Sequence, residues 1–129
     1  MDMCGAKQGI CHHGGRGLVQ MSILRILYEK PSHGYQIMEE LQRITSDKYI
    51  PESGVVYTML RRMEKKVLVT SEWKKKETGA DRRVYTLTDM GKKTLKGGLE
   101  TVKNRRPLMD SLVQFYDSHF IEKEKGDDR

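Results

Sequence analysis

The spacing of apolar residues between Leu18 and Ile44 predicts two short helices packed against each other. In the first helix, apolar side chains recur every three or four residues and form a broad stripe, which is typical of a helix with one buried face. Pro31 cannot continue this helix, and Ser32 is a suitable N-cap for the second. The apolar positions are Leu18, Met21, Ile23, Leu24, Ile26 and Leu27 in the first helix, and Tyr35, Met38, Leu41 and Ile44 in the second.

A third helix is predicted to begin between Pro51 and Ser53 and to run to near Lys66. Glu52 or Ser53 can satisfy the free N–H groups at its start. One face is apolar, and the opposite face carries polar and basic side chains, with Glu64 as an acidic residue at its margin. The predicted buried residues of this helix are Val56, Met59, Leu60 and Met63.

Two β-rich segments follow, Val67–Trp73 and Arg82–Leu87, separated by a polar segment from Lys74 to Asp81. Such segments on either side of a glycine-containing loop predict a β-hairpin. The loop begins with three consecutive lysines, so we expect its tip to lie against an anion. Three helices followed by this hairpin predict a winged helix-turn-helix, a mainly α-helical fold with a small β-hairpin.

A long helix is predicted after Thr88, which can cap it while Asp89 interacts favourably with the helix dipole. Apolar residues along it follow alternating steps of three and four, apart from a gap at Arg106, and resemble a heptad seam. Pro107 has no N–H to donate, so we expect a kink or a break there. A second copy of the chain is the simplest partner for this seam. With a contribution from the first helix, the predicted dimer interface comprises Leu18, Met21, Leu95, Leu99, Val102, Met109, Val113, Tyr116 and Phe120.

These elements divide the 129 residues into four segments. Residues 1–16 are glycine-rich and hold few large apolar side chains, so we expect a flexible tail. Residues 17–88 form the predicted winged helix-turn-helix domain, residues 89–122 the C-terminal dimerisation helix, and residues 123–129 a charged tail. No stretch reaches the length of apolar residues that a membrane span requires, and no hydrophobic leader is evident, so we expect a cytoplasmic protein.

The positive charge of the chain is concentrated in one region. Residues 54–96 hold twelve Lys and Arg against five Asp and Glu, a net charge of +7, whereas the remainder has a net charge of −1. A basic patch confined to one helix and one hairpin is typical of a nucleic-acid-binding protein. An acidic protein partner or an anionic membrane could use the same patch, so a winged-helix protein-interaction module stays as an alternative.

The exposed face of the third helix and the wing supply the candidate DNA contacts. Their side chains are of the types that hydrogen-bond to phosphates or base edges when a helix lies in a major groove. They comprise Ser53, Tyr57, Thr58, Arg61, Arg62 and Lys65 on the helix, and Lys74, Lys75, Lys76 and Arg82 on the wing. The same charges would also suit a solvated helix face or a hairpin kept soluble by its lysines.

Two aromatic residues in this region each have two interpretations. Tyr57 can donate its hydroxyl to a phosphate or pack its ring against the core, and we expect partial burial with a phosphate contact. Trp73, near the end of a strand, is expected to be a half-buried anchor, with a ligand platform as the alternative.

Cys4, Cys11, His12 and His13 carry the ligand types of a tetrahedral zinc site or of a redox-sensing thiol pair. Their spacing matches no strong zinc signature, so a metal- or thiol-responsive regulator is kept only as an alternative. We find no paired carboxylates in a pocket, no phosphate-binding glycine loop and no nucleophile with a motif base. The sequence therefore predicts neither catalysis nor a cofactor.

Three spaced motifs resemble the PadR family of transcriptional regulators. They are Pro31–Tyr35, Ser53–Tyr57 with Leu60, Met63-Glu64 and Val67–Val69, and Arg82–Gly91. The resemblance covers residues 18–120. It implies a homodimeric cytoplasmic repressor without catalytic activity, which binds palindromic double-stranded operator DNA and responds to a small aromatic effector.

Four positions depart from the pattern of the family. The family usually has Leu at position 63, where this chain has Met, and Gly at position 67, where it has Val. Valine is poorly suited to a left-handed helix cap, so we expect the turn into the wing to differ. Ala80-Asp81 also replaces the Pro or basic residues common at the wing tip, which leaves the three lysines as the main phosphate contacts.

Overall fold

A computed structural model describes residues 10–46, 48, 52–75 and 79–121, with side chains from Gly17 onward. The chain is mainly helical with a small antiparallel sheet, as the sequence predicts. The elements are α1 (Ile10–Glu29), β1 (Ser32–His33), α2 (Gly34–Ile44), α3 (Ser53–Lys65), β2 (Val69–Lys74), β3 (Arg82–Leu87) and α4 (Asp89–Tyr116), followed by a π-helical turn (Asp117–Ile121). Residues 1–96 and 97–129 form two separate compact units.

The core of the first unit brings together the apolar faces predicted for the helices and the wing. Ile23 and Leu24 of α1, Ile37 of α2, and Val56 and Leu60 of α3 are fully buried. Met63, Leu68, Val69, Tyr85 and Leu95 join the same cluster. Ile37 was not among the predicted core positions, whereas the predicted Tyr35 is 61% exposed. The stripe of α2 is therefore rotated toward Ile37 and Leu41.

Helix α1 begins at Ile10 and not at Gly17, so the boundary predicted for the N-terminal tail is too late by seven residues. Residues 10–16 hold two adjacent glycines, and each glycine costs about 1 kcal/mol relative to alanine inside a helix. That cost does not stop a helix from extending outward from a turn already stabilised by packing, because each added residue adds one backbone hydrogen bond.

The N-cap of α2 is not Ser32, so that prediction is wrong. His33 is the N-cap: its Nδ1 accepts a hydrogen bond from the Gln36 N–H at 3.4 Å, and its own N–H donates to Gln36 Oε1 at 3.0 Å. Ser32 is instead buried in strand β1, where it pairs with Tyr85. Because the strand occupies Ser32, the helix can begin only after the next residue.

The wing is a hairpin of β2 and β3 in antiparallel register, with Val69 opposite Leu87 and Lys74 opposite Arg82. The hairpin is therefore confirmed: β3 has the predicted bounds, whereas β2 begins two residues later than predicted and ends one residue later, at Lys74. Strand β1 adds a third strand beside β3, so that the sheet order is β1-β3-β2. Strand β1 was not predicted, because two residues are too few to show an alternation of apolar and polar side chains.

The turn from α3 into the wing keeps a left-handed cap despite the valine at position 67. Val67 has φ 63°, in the region that normally favours glycine. Its N–H donates to the Glu64 carbonyl at 3.0 Å, and the Leu68 N–H donates to the Met63 carbonyl at 2.9 Å. These two bonds form a Schellman motif. We expected the valine to change the conformation of this turn, and that prediction is wrong. The two hydrogen bonds hold Val67 in the left-handed conformation that glycine would adopt.

Replacing Val67 by glycine is expected to raise the free energy of unfolding by about 1 kcal/mol. A β-branched residue pays a steric cost in the left-handed region that glycine avoids. Val67 is 58% exposed, so little apolar burial is lost with its side chain. Urea denaturation of the two proteins measures the difference. A glycine variant less stable than the native chain would show that the valine side chain stabilises the turn.

Helix α4 is capped as predicted by Thr88, whose Oγ1 accepts a hydrogen bond from the Gly91 N–H at 3.0 Å. The helix is continuous through Pro107, so the expected break is not seen. Leu95, predicted at the dimer interface, is 6% exposed and belongs to the hydrophobic core of residues 1–96. Leu95 therefore packs inside its own chain and not against a partner, because the first turns of α4 pack on the winged-helix core.

The other predicted interface residues differ in exposure. Leu18 of α1 is 53% exposed, whereas Met21 is partly buried against the core. From position 99 onward the predicted seam of α4 is exposed, with fractions between 38% and 58%. This exposed seam comprises Leu99, Val102, Met109, Val113 and Tyr116 of α4 and Phe120 of the π-helical turn. None of the described helices is both long and apolar enough to cross a membrane.

Candidate nucleic-acid interface

Helix α3 separates its apolar and polar residues onto two faces. Val56, Leu60 and Met63 are buried, which turns the residues between them outward. Ser53, Arg61, Arg62 and Lys65 are exposed, and Thr58 is partly exposed. The candidate contacts of this helix therefore lie on its solvent-facing side.

Tyr57 lies at the edge of this face. Its side chain packs on the backbone of Gly34 at the start of α2, where a Cβ atom at position 34 would lie 2.5 Å from Tyr57 Cε1. The residue is 37% exposed. The expected partial burial is therefore confirmed, and the phosphate contact of the hydroxyl stays a prediction. Gly34 is required here because any larger residue would displace the ring.

Arg61 is oriented by its own helix. Its Nη2 donates to Thr58 Oγ1 at 3.3 Å, one helical turn earlier. This bond uses one of the five N–H groups of the guanidinium and leaves the others available to a ligand. Arg62, one residue later, points to a neighbouring part of the exposed face and lines a shallow hollow with Val55 and Thr58.

Glu64, the acidic residue at the margin, is held by the wing. Ser71 Oγ donates to Glu64 Oε2 at 2.8 Å, and Arg83 Nη2 lies 3.5 Å from Glu64 Oε1. Arg83 Nε also donates to Ser71 Oγ at 2.8 Å. This cluster, Glu64-Ser71-Arg83, connects α3 to both strands of the hairpin. Arg83 also compensates the charge of Glu64, which is the one acidic residue of α3. This role of Arg83 was not predicted from the sequence.

Arg82 is positioned at the base of the wing by the start of α2. Its Nη1 lies 2.7 Å from His33 Nε2. The same histidine caps α2, so the orientation of Arg82 is coupled to the start of that helix. His33 thus caps α2 and also contacts a residue 49 positions away along the chain.

Trp73 does not have the expected position of a half-buried anchor, because it is 65% exposed. It pairs with Arg83 across the hairpin, and the Arg83 guanidinium carbon lies 5.7 Å from the centre of the indole ring. Strand alternation places Trp73 on the same face of β2 as Ser71, which faces Arg83 and Glu64. The indole therefore lies on the side of the wing that faces α3.

The lysines of the wing are solvent-accessible where the structure describes them. Lys74 forms an exposed ion pair with Glu72 at 3.6 Å, which in this position contributes little to stability. Lys75 is exposed. Lys76 lies outside the described residues. The two described lysines leave their charge available to an anion near the hairpin tip.

A groove of about 440 Å³ lies between α3, the wing and the start of α2. It brings together three arginines, one carboxylate and five aromatic or imidazole rings. Burial raises the pKa of the Tyr85 phenol, and the nearby Arg83 partly offsets that effect, so this hydroxyl stays neutral at physiological pH. The lining consists of His33, Gly34, Tyr35, Tyr57, Arg61, Trp73, Asp81, Arg82, Arg83 and Tyr85.

The Cys/His cluster predicted as a metal or redox site is not tested by the structure. Cys4 lies outside the described residues, and Cys11, His12 and His13 lie in α1 without described side chains. Among the side chains that are described, no group of three or more His, Cys, Asp or Glu residues could hold a metal ion.

Comparison with known proteins identifies relatives of this chain. A family model described as the transcriptional regulator PadR-like family matches residues 23–97. The chain is 30% identical over 107 residues to the transcriptional regulator YqjI of Escherichia coli, and the match covers 78% of this chain and 49% of that protein. The chain thus spans about half the length of that relative.

Two solved structures show the same fold. A transcriptional regulator from Clostridium thermocellum superposes with a TM-score of 0.71 at 28% identity, over 81% of this chain and 98% of the other. Bacillus subtilis PadR, solved in complex with operator DNA, superposes with a TM-score of 0.58 at 23% identity, over 64% of this chain and 46% of the other. The likeness to the DNA-bound structure supports the winged-helix fold alone.

Proposed function

Since this chain belongs to the PadR-like family of transcriptional regulators, we propose that it acts as a cytoplasmic homodimeric repressor on palindromic operator DNA. The proposal assigns the chain a binding role and no catalytic one. The observation that supports it most directly is the cationic surface shared by α3 and the wing, where Arg61 and Arg82 line one groove.

The exposed face of α3 is suited to the major groove. Its buried side chains fix the helix on the core, while Arg61 and Arg62 project from the opposite side. Arginine can bind guanine O6 and N7 with two hydrogen bonds, which gives sequence readout. Lys74, Lys75 and Arg82 lie on the adjacent wing, where contacts to phosphate add affinity without sequence information. Lys76 belongs to the same proposed set.

Dimerisation would provide the palindromic readout. The exposed seam of α4 beyond Gly97 leaves six apolar residues on the surface of a single chain. A two-fold dimer through this seam would present two α3 helices to successive major grooves, about 34 Å apart along B-DNA. Repression follows where such an operator overlaps a promoter.

Release would require a signal that alters the spacing of the two α3 helices. We propose a small aromatic effector that binds near the dimer interface and rotates the subunits, so that the two helices no longer match the operator. A rotation of this kind would weaken operator binding without changing the winged-helix units themselves.

Alanine at both Arg61 and Arg62 is expected to reduce the affinity for a selected operator at least tenfold, because each base contact contributes about 1–3 kcal/mol of discrimination. Glutamine at Lys74 and Lys75 should instead weaken binding to all duplexes and flatten the salt dependence. Selection of bound sites from random duplex DNA supplies the operator, and mobility-shift titrations measure both variants.

Arg25→Ala is the control, because it removes one positive charge from an exposed position of α1, away from α3 and the wing. It should leave operator affinity unchanged at moderate salt. Equal affinity for the operator and for a scrambled duplex would contradict the proposal and favour a surface that docks an acidic protein.

A further inference from the structure

The groove between α3 and the wing carries two exposed aromatic rings that the proposed duplex contacts do not use. Trp73 is 65% exposed and Tyr35 is 61% exposed, although both line a concave surface. Large aromatic side chains usually bury most of their area, so exposed rings in a groove indicate a site for a planar ligand.

Three guanidinium groups surround these rings. Arg83 lies over Trp73 and is held by Ser71 and Glu64. Arg61 contacts Thr58, and Arg82 contacts His33. Asp81 is the carboxylate in the lining, so the arginines leave a net positive charge. The site therefore combines surfaces for stacking with donors for an anion.

We propose that this groove binds an unpaired nucleotide of single-stranded DNA, with the base stacked on Trp73 and the adjacent phosphate held by Arg61 and Arg82. A base in a duplex stacks on its neighbours and offers only its edge, whereas an unpaired base has a free face. Aromatic rings along a cationic groove are the feature that proteins use for single strands. The volume of about 440 Å³ lies in the range of small-ligand sites.

This binding mode goes beyond the proposed recognition of operator duplex and shares two arginines with it. A single strand in the groove would occupy Arg61 and Arg82, so it should compete with duplex DNA. Arg62 does not line the groove. Substitution of Arg62 should therefore weaken operator binding more than single-strand binding.

Trp73 is the single tryptophan of the chain, so its fluorescence reports directly on the groove. Titration of the full chain with a short oligothymidylate is expected to quench this fluorescence to saturation. An abasic strand of the same length, with the same phosphates but without bases, should quench it weakly and bind about tenfold less tightly, because stacking contributes about 1–3 kcal/mol per base.

Variants are measured by the anisotropy of a labelled oligothymidylate. Trp73→Leu should weaken binding about tenfold, and Trp73→Phe should restore most of the affinity because it keeps a ring. Both variants should fold, since the side chain is mostly exposed. Arg25→Ala is the control, because it removes a positive charge from an exposed position outside the groove, and it should bind the single strand like the native chain.

Three results would overturn the inference: equal affinity for the abasic strand, unchanged binding by Trp73→Leu, or stronger quenching by a random duplex than by the single strand at equal nucleotide concentration. Failure of the proposed function is distinguishable from these results. It would appear as a lack of preference for selected operator duplex, with single-strand quenching of Trp73 intact.

Discussion

Alanine at Gly91 is expected to lower the free energy of unfolding by about 3 kcal/mol. A Cβ atom at this position would overlap the carbonyl oxygen of Leu68 and would lie 2.6 Å from Leu87 Cδ1. A backbone atom cannot rotate away as the end of a side chain can. The added methyl group therefore has to displace the start of α4.

The hydrogen bonds around Gly91 oppose that displacement. The Leu68 carbonyl accepts from the Thr88 N–H at 3.1 Å, and Thr88 Oγ1 donates to the Val67 or Leu68 carbonyl while accepting from the Gly91 N–H. Moving α4 outward would break the contacts that connect the end of α3, the end of β3 and the first turn of α4. Both possible responses, overlap and displacement, cost stability.

Thermal and urea unfolding of Gly91→Ala measure the effect, and a decrease in Tm of about 10 °C is expected. Gly97→Ala is the matched control, because it adds the same methyl group where no atom lies within 4 Å. That control should gain about 1 kcal/mol from its helical position. A Gly91→Ala protein as stable as the native chain would show that α4 is free to shift, and would contradict the close packing of Gly91 on Leu68.

Local patterns predicted the elements of the fold that depend on repeated spacing. The stripes of α1 and α3, the two wing strands and the Thr88 cap all follow from periodicity or from a single capping residue. The position of α2 on the core was less well predicted, because Tyr35 and Ile37 are both apolar and only packing decides which is buried. Tertiary contacts likewise decided between Ser32 and His33 as the cap, since strand β1 depends on a partner 53 residues away.

The charge of the candidate site was predictable, but its internal contacts were not. Composition located the basic surface on α3 and the wing, because charge counts need no structure. The Glu64-Ser71-Arg83 cluster depends on which residues of β2 and β3 face α3, and this follows only from the hairpin register. That register explains why Arg83 holds the wing to α3 and why Trp73 lies in the groove instead of the core.

The exposed seam of α4 is the feature whose function depends most on a second molecule. Within residues 97–129, the apolar side chains of the seam follow steps of three and four, and Tyr116 and Phe120 stack with their ring centres 5.9 Å apart. Leu108, Leu112 and Phe115 add a neighbouring row that is also more than half exposed. A helix with such a wide apolar face is stable in water only when another surface covers it.

Glutamate at Val113 is therefore expected to convert the proposed dimer into a monomer and to reduce operator affinity at least hundredfold. Val113 lies near the middle of the seam and is 58% exposed in the single chain. In a two-fold interface each substitution occurs twice, so two carboxylates would be buried in an apolar contact without partners. A monomer would bind one half-site and lose the contribution of linking two sites.

Ser111→Glu provides the matched control, because residues two apart lie on nearly opposite sides of a helix, about 200° around its axis. It adds the same charge away from the seam, so the dimer and the operator affinity should both persist. Sedimentation equilibrium gives the mass of each protein, and titration with a duplex carrying one or two half-sites gives the affinity. A Val113→Glu protein that stays dimeric would place the interface elsewhere. A native chain that is monomeric and still binds the operator with full affinity would contradict the proposed dimer. The explanation of palindromic recognition would then fail as well.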